Sequence, residues 1–133
     1  MRKLLCIPLL FILFAVPAVT IAADPIDKVA DLLKRGNTAE LSKMLAANIS
    51  ITLQNDESVY TKVQAGLILD KFFDQNKPSS VKILHRVNSS ANYLFGVLIL
   101  NTDKGPYRVA CTLKETEGSL RIIELRIESE KVK

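Results

Sequence analysis

One histidine and two tyrosines are the residues of this sequence whose types and positions suit acid/base chemistry. His85 is the only histidine, and it alternates with Ile83 and Val87, which predicts an inward position on a strand. Tyr93 and Tyr107 each begin a later predicted strand. Imidazole can act as a general base and a phenol can donate a hydrogen bond to a developing oxyanion, so one interpretation is an acid/base enzyme built on these three residues.

The same residues also fit a structure without catalysis. No carboxylate clearly shares the face of His85 to orient the imidazole, because Glu124 follows a predicted irregularity in the last strand and faces away from Leu125. The alternative is a half-buried or rim histidine, with tyrosine rings filling a pocket and hydroxyl groups at its mouth. The sequence therefore predicts no firm catalytic residue.

Thiol and metal chemistry have fewer candidates still. Cys6 lies in the leading apolar segment, and Cys111 alternates with Val109 and Leu113, which predicts a buried thiol. A reactive thiolate needs a stabilising neighbour, for which His85 is the one histidine available. One histidine and one buried cysteine do not supply the three or four ligands of a zinc site, and no glycine-rich phosphate loop is present. We expect no metal and no cofactor.

The composition limits the class of protein. The chain has 133 residues, of which 48% are hydrophobic, with 18 Lys and Arg against 14 Asp and Glu. Without Arg2 and Lys3 the net charge is only +2. This balance is typical of one small globular domain, and it argues against a disordered chain or a nucleic-acid-binding module.

The first 22 residues have the layout of a signal peptide. Two cations are followed by an uncharged apolar run over residues 4–21. An uncleaved membrane anchor is the alternative, but Pro8 and Pro17 would kink such a helix. Cleavage after Ala22 or after Ala23 remains open. We expect an exported protein, periplasmic or secreted, with a single domain over residues 23–133 and no permanent membrane span.

The mature chain alternates between helical and strand patterns. Asp24 precedes a first helix that ends at Gly36, Asn37 precedes a second that ends near Asn48, and Thr61 precedes a third that ends in residues 76–80. A hairpin over residues 49–60 lies between the second and third helices, and four antiparallel strands follow. The predicted fold is α+β, with N-terminal helices packed on a curved antiparallel sheet.

Two irregularities are expected to curve this sheet. The alternation slips between Ile122 and Ile123, as at a β-bulge, and Gly96 lies inside a strand. A curved sheet around the third helix, whose apolar face we expect to include Val63 and Leu67, leaves a hollow. The ligand-pocket candidates are Phe72, Phe73, His85, Tyr93, Tyr107 and Cys111.

Residues 93–100 are apolar on both faces of their predicted strand. We expect the odd-numbered positions to face the helices, which turns Leu94, Leu98 and Leu100 outward. Exposed leucines need cover, so the sequence predicts a homodimer through this face.

Four segments together resemble the cone-shaped nuclear-transport-factor-2-like superfamily, also called cystatin-like. They are DPIDKVADLLKRGN, SITLQNDESVYTK, LILDKFFDQN and LRIIELRIE. The resemblance spans residues 24 to about 130, and within the superfamily the chain is most similar to an uncharacterised domain-of-unknown-function group of small exported bacterial proteins. It implies the α+β fold but no single activity, since the superfamily includes ketosteroid-isomerase-like enzymes, ligand carriers and assembly domains.

Three functions therefore remain. The first is an exported, non-catalytic binding or interaction module whose apolar pocket takes a small apolar ligand or a protein partner. The second is an acid/base enzyme using His85, and the third is a structural protein that dimerises. We expect no nucleic-acid partner.

Overall fold

The helices and strands occur in the predicted order. The computed structural model describes residues 24–90 and 92–130, so the proposed leader lies outside the described residues. The helices are α1 (Pro25–Arg35), α2 (Thr38–Lys43) and α3 (Lys62–Gln75). The strands are β1 (Leu45–Leu53), β2 (Asp56–Thr61), β3 (Pro78–Ser90), β4 (Tyr93–Thr102), β5 (Gly105–Thr116) and β6 (Ser119–Ser129).

Side-chain and glycine caps determine where the helices begin and end. The Asp24 carboxylate accepts a hydrogen bond from the Ile26 amide at 2.9 Å, and Gly36 ends α1 in the left-handed conformation. Thr61 and Gln64 form a reciprocal capping box at the start of α3. The capping residues expected from the sequence are thus confirmed.

All six strands form one sheet in the order β2-β1-β6-β5-β4-β3. Every neighbouring pair is antiparallel except β1 and β6, which run parallel. The bulge in β6 is confirmed, because Leu113 pairs with Ile122 and Thr112 pairs with Glu124, which leaves Ile123 as the extra residue. α1 packs on β3 and β4, and α3 packs on β1 and β2.

The second helix is shorter than expected. It is capped at Met44, and Leu45 and Asn48 already belong to β1. Leu45 pairs with Ile122 across the parallel ladder. Pairing with a distant strand therefore overrides the local helical pattern, which cannot register such a contact.

The predicted facing of β4 is wrong. Leu94, Leu98 and Leu100 belong to the hydrophobic core, and the odd-numbered positions face away from the helices. A strand that is apolar on both faces carries no alternation signal. Gly96 explains the choice of face, because a Cβ there would lie 3.0 Å from atoms of Ile26. The missing side chain lets α1 approach the face that Gly96 shares with the leucines.

The apolar face of α3 is narrower than expected. Ala65, Leu69, Phe72 and Phe73 are buried against the sheet. Val63 and Leu67 are instead 75% and 67% exposed. These two residues lie one turn apart on a side of the helix that the fold leaves uncovered.

Candidate functional site

The three residues of the catalytic hypothesis do not come together. His85 pairs with Val97 on the outer face of the sheet, away from the helices, and Tyr93 is also on that face, 41% exposed. Tyr107 is on the inner face, where it pairs with Leu100. The proposed pairing of His85 with a tyrosine from the inward face is therefore wrong.

A slip in β3 explains the position of His85. Ile83 pairs with Leu98, but His85 pairs with Val97, so Leu84 is an extra residue. In a regular strand, residues two positions apart share a face. The bulge instead turns His85 to the opposite face from Ile83.

Tyr107 already has a hydrogen-bond partner. Its hydroxyl group donates to Oδ1 of the buried Asn76 at 2.8 Å, and Asn76 Nδ2 donates to the Phe72 carbonyl at 2.9 Å. The rings of Tyr107 and Phe72 meet edge to face with centroids 5.1 Å apart. Tyr107 therefore anchors the C-terminal end of α3 to the sheet.

Cys111 and Phe73 lie outside any shared pocket with the other candidates. Cys111 is fully buried opposite Gly96, and burial raises the pKa of its thiol to about 12, although a backbone hydrogen bond from Gly96 acts in the opposite direction. Phe73 packs edge to face on Phe72 and is buried. A buried thiol with a raised pKa is a weak nucleophile at neutral pH.

An open apolar surface lies beside α3 instead. One hollow of about 340 Å³ adjoins another of about 290 Å³, and the two share Tyr60 and Ile68. We call the pair the α3 groove; its lining residues are Leu53, Tyr60, Gln64, Leu67, Ile68, Lys71, Phe72 and Gln75. Of the six pocket candidates, only Phe72 lines it.

The lining of the α3 groove is mostly apolar. Lys71 is the one charged side chain in its lining, and Gln64 and Gln75 add two amides. The groove brings together an aromatic ring, several aliphatic side chains and a few hydrogen-bonding groups at the edges. Its titratable side chains are Tyr60 and Lys71, and neither a histidine nor a carboxylate among the described residues lines it.

Sequence reasoning missed Tyr60 and Ile68, which link the two halves of the groove. Tyr60 pairs with Ile49 on the inner face of β2, and Ile68 is half-buried on α3. The exposed neighbour Leu67 was assigned to the core. The sequence did contain one signal for this groove: α3 carries more apolar residues than one buried helix face needs.

Across residues 24–90 and 92–130, no three His, Cys, Asp or Glu side chains cluster in a way that could hold a metal ion. None of the helices in this part of the chain has the length and apolar character needed to span a bilayer.

The fold defines the class of protein. The chain resembles a nuclear-transport-factor-2-like protein from Cytophaga hutchinsonii with a TM-score of 0.59 and 9% identity, covering 79% of this chain and 92% of that one. The element order and the curved sheet agree with this class, and at such low identity the likeness concerns the fold alone.

A family assignment follows. The family model described as "Domain of unknown function (DUF4783)" matches residues 26–128, so the chain belongs to this family. A DUF4783 family protein from Bacteroides ovatus is 28% identical with a TM-score of 0.74, covering 78% of this chain and 94% of that one. Another from Bacteroides uniformis is 26% identical with a TM-score of 0.77, covering 82% and 100%. Among curated proteins, none matches the sequence.

Proposed function

We propose that this protein is a non-catalytic binding module whose α3 groove takes a small, neutral, apolar ligand. The observation that carries the proposal is the position of Leu67, which is 67% exposed at the edge of a groove that also contains Tyr60 and Ile68. Exposed apolar side chains beside a concave surface mark interaction sites. A hollow of about 340 Å³ is at the lower end of the size range of ligand pockets.

The distribution of charge supports binding over turnover. Lys71 alone brings a charge to the groove lining, while His85 is exposed on the other face of the sheet. A base would have to lie within hydrogen-bond reach of the ligand to act on it. Gln64 and Gln75 are placed to orient a polar group of the ligand at the rim.

The test is a titration of the purified protein with Nile red, a neutral apolar dye, together with native mass spectrometry of protein purified from its own source. Leu67→Gln should weaken dye binding about tenfold, because burying one leucine side chain is worth roughly 1.5–3 kcal/mol. Val59→Gln is the matched control, since Val59 is also exposed but lies on the outer face of β2. Equal weakening by both variants, or none by Leu67→Gln, would contradict the proposal.

We also propose a homodimer, through a different set of residues from the core leucines. Tyr93, Val87 and half-buried Phe95 form an apolar patch with Val97 on the outer face of β3 and β4. A patch of this kind can pair with its own copy across a twofold axis, as an isologous contact requires. Light scattering should give twice the chain mass, and Phe95→Lys should give the monomer mass while Val59→Lys does not. A monomeric wild-type protein would refute the dimer.

Export is proposed from the leader sequence. Cell fractionation and N-terminal sequencing should find mature protein outside the cytoplasm that begins at Ala23 or Asp24. Protein that stays in the cytoplasm with Met1 to Lys3 intact would contradict export.

A further inference from the structure

The parallel ladder between β1 and β6 is interrupted. Leu45 pairs with Ile122 and the next pair is Ser50 with Glu124, so residues 46–49 of β1 face a single residue of β6. The pairing between β1 and β6 therefore has an opening at this place.

A hollow of about 400 Å³ lies at this opening, on a different part of the surface from the α3 groove. Ala46, Ala47 and Ile123 supply its accessible apolar lining, and Lys62 and Arg121 supply two cations. We call it the β1–β6 hollow. Its volume is sufficient for a small organic molecule.

The two cations lack an acidic partner among the described residues. Lys62 and Arg121 are both half-buried, and neither belongs to a salt bridge there. One Arg121 nitrogen donates to the Lys43 carbonyl at 3.1 Å, which holds the guanidinium group in place and leaves other N–H groups for a ligand. A half-buried cation gains more from an anion than an exposed one does, because water screens it less.

Glu117 is the one carboxylate that lines the hollow. It lies in the β5–β6 turn with a φ of 51°, next to Gly118 with a φ of 84°. Two successive positive φ values are typical of a tight hairpin turn, which fixes the backbone that carries Glu117. No ion pair joins Glu117 to Lys62 or Arg121 in the described chain.

We propose that the β1–β6 hollow binds a small carboxylate with a short apolar tail. The carboxylate is received by Arg121, whose planar fork matches it, and by Lys62 as a second charge. The tail lies against Ala46, Ala47 and Ile123. Such a group occurs both in a free aliphatic acid and at the C-terminus of a peptide that ends in an apolar residue.

The test is a calorimetric titration of the protein with five probes. Hexanoate represents the free acid, and acetyl-Ala-Ala-Leu with a free carboxylate represents the peptide terminus. Hexanol, the C-terminally amidated peptide and inorganic phosphate are the controls. Binding of hexanoate alone assigns the free acid as ligand, binding of the free peptide alone assigns the chain terminus, and binding of both supports the shared chemistry. Failure of both, or equally tight binding of hexanol, the amide or phosphate, overturns the proposal.

Two variants connect binding to the named cations. Lys62→Gln and Arg121→Gln should each weaken binding about tenfold, which is the usual worth of a charge-assisted hydrogen bond. Lys28→Gln removes a similar charge from an exposed position on α1 and should leave binding unchanged. Arg121 also donates a hydrogen bond to the Lys43 carbonyl, so circular dichroism must show that Arg121→Gln is folded. If Arg121→Gln does not fold, Lys62→Gln alone tests the proposal. Unchanged binding in Lys62→Gln would overturn the assignment.

Discussion

Helices cover the two ends of the sheet in different ways. At the β3–β4 end, α1 fits so closely that a single added methyl at Gly96 would crowd Ile26. At the β1–β2 end, α3 buries only Ala65, Leu69, Phe72 and Phe73, and the bond between Tyr107 and Asn76 anchors its C-terminal end. Its N-terminal half leaves Leu67 exposed beside open hollows.

Under the proposed function, this difference separates stability from binding within one small domain. Close packing gives stability but leaves no space for a ligand, whereas an incompletely covered helix leaves an apolar surface that a ligand can bury. We therefore expect substitutions at the α1 end to change the free energy of unfolding, and substitutions in the α3 groove to change binding with little effect on folding.

The largest effect should come from truncating Ile26, which is fully buried. Ile26→Ala should lower the free energy of unfolding by about 2–5 kcal/mol, since it loses buried methyl groups and leaves a cavity. Leu67→Ala, on the exposed side of α3, should change it by less than about 0.5 kcal/mol. Urea denaturation measures both. Similar losses in the two variants would break the distinction between the ends.

The comparison also shows what the sequence could predict. Caps and periodicity were enough for the presence and order of the three helices, the strand order along the chain and the bulge at Ile123, because each depends on neighbouring residues. They were not enough for the C-terminal end of α2. The parallel pairing of β1 with β6 depends on residues more than 70 positions apart, such as Leu45 and Ile122. Local sequence patterns do not predict contacts between residues so far apart in the chain.

The candidate site was harder to predict than the fold. A bulge at Leu84 reversed the facing of His85, and the two-sided apolar strand β4 gave no preference for either face. A register slip of one residue is enough to turn the side chains of a strand from the core to the surface. Phe72 is the one pocket candidate that lines the α3 groove, and it belongs to a helix, whose period of about 3.6 residues does not depend on strand register.

The second effect concerns Cys111, which lies below α1 opposite Gly96. Its pKa is raised from 9.0 to about 12 by burial, so above pH 9 the unfolded chain loses a proton that the folded chain keeps. The contribution of the buried thiol to the free energy of unfolding is fully present below the pKa of Cys111 in the unfolded chain. This contribution declines as the pH rises from about 9 towards 12. At about pH 10.5 this linkage should cost about 2 kcal/mol.

Other groups titrate in the same range, so the measurement is a difference. The pH dependence of unfolding is compared between the wild type and Cys111→Ala, which lacks the thiol. The variant should show a smaller loss of stability between pH 9 and 10.5. If the free energy of unfolding fell equally steeply with pH in both proteins, the thiol would not be shielded from water, contrary to the close packing at the β3–β4 end.

A third effect belongs to the α3 end. Tyr107→Phe removes the hydroxyl that donates to the buried Asn76 Oδ1, and should cost about 1–2 kcal/mol because that oxygen is left unpaired. Thermal unfolding measures the loss. Tyr60→Phe, in the groove lining, is the control and should be nearly neutral. If both were neutral, the C-terminal half of α3 would be no better anchored than its N-terminal half.

The smallest effect should come from Arg86 on β3, which joins the sheet to α1. Its guanidinium group donates to Asp24 at 2.9 Å and to Asp27 at 2.6 Å, and all three side chains are partly exposed to water. Water and salt screen such pairs, so Arg86→Gln should lower the unfolding midpoint slightly at low ionic strength and not at about 1 M salt. Arg35→Gln is the matched control, because Arg35 pairs with Asp31 within α1 and does not connect the helix to the sheet. A decrease in the unfolding midpoint of Arg86→Gln that persists at high salt would show that the arginine acts through packing of its aliphatic part. In that case α1 would be held at the β3–β4 end by apolar contacts alone.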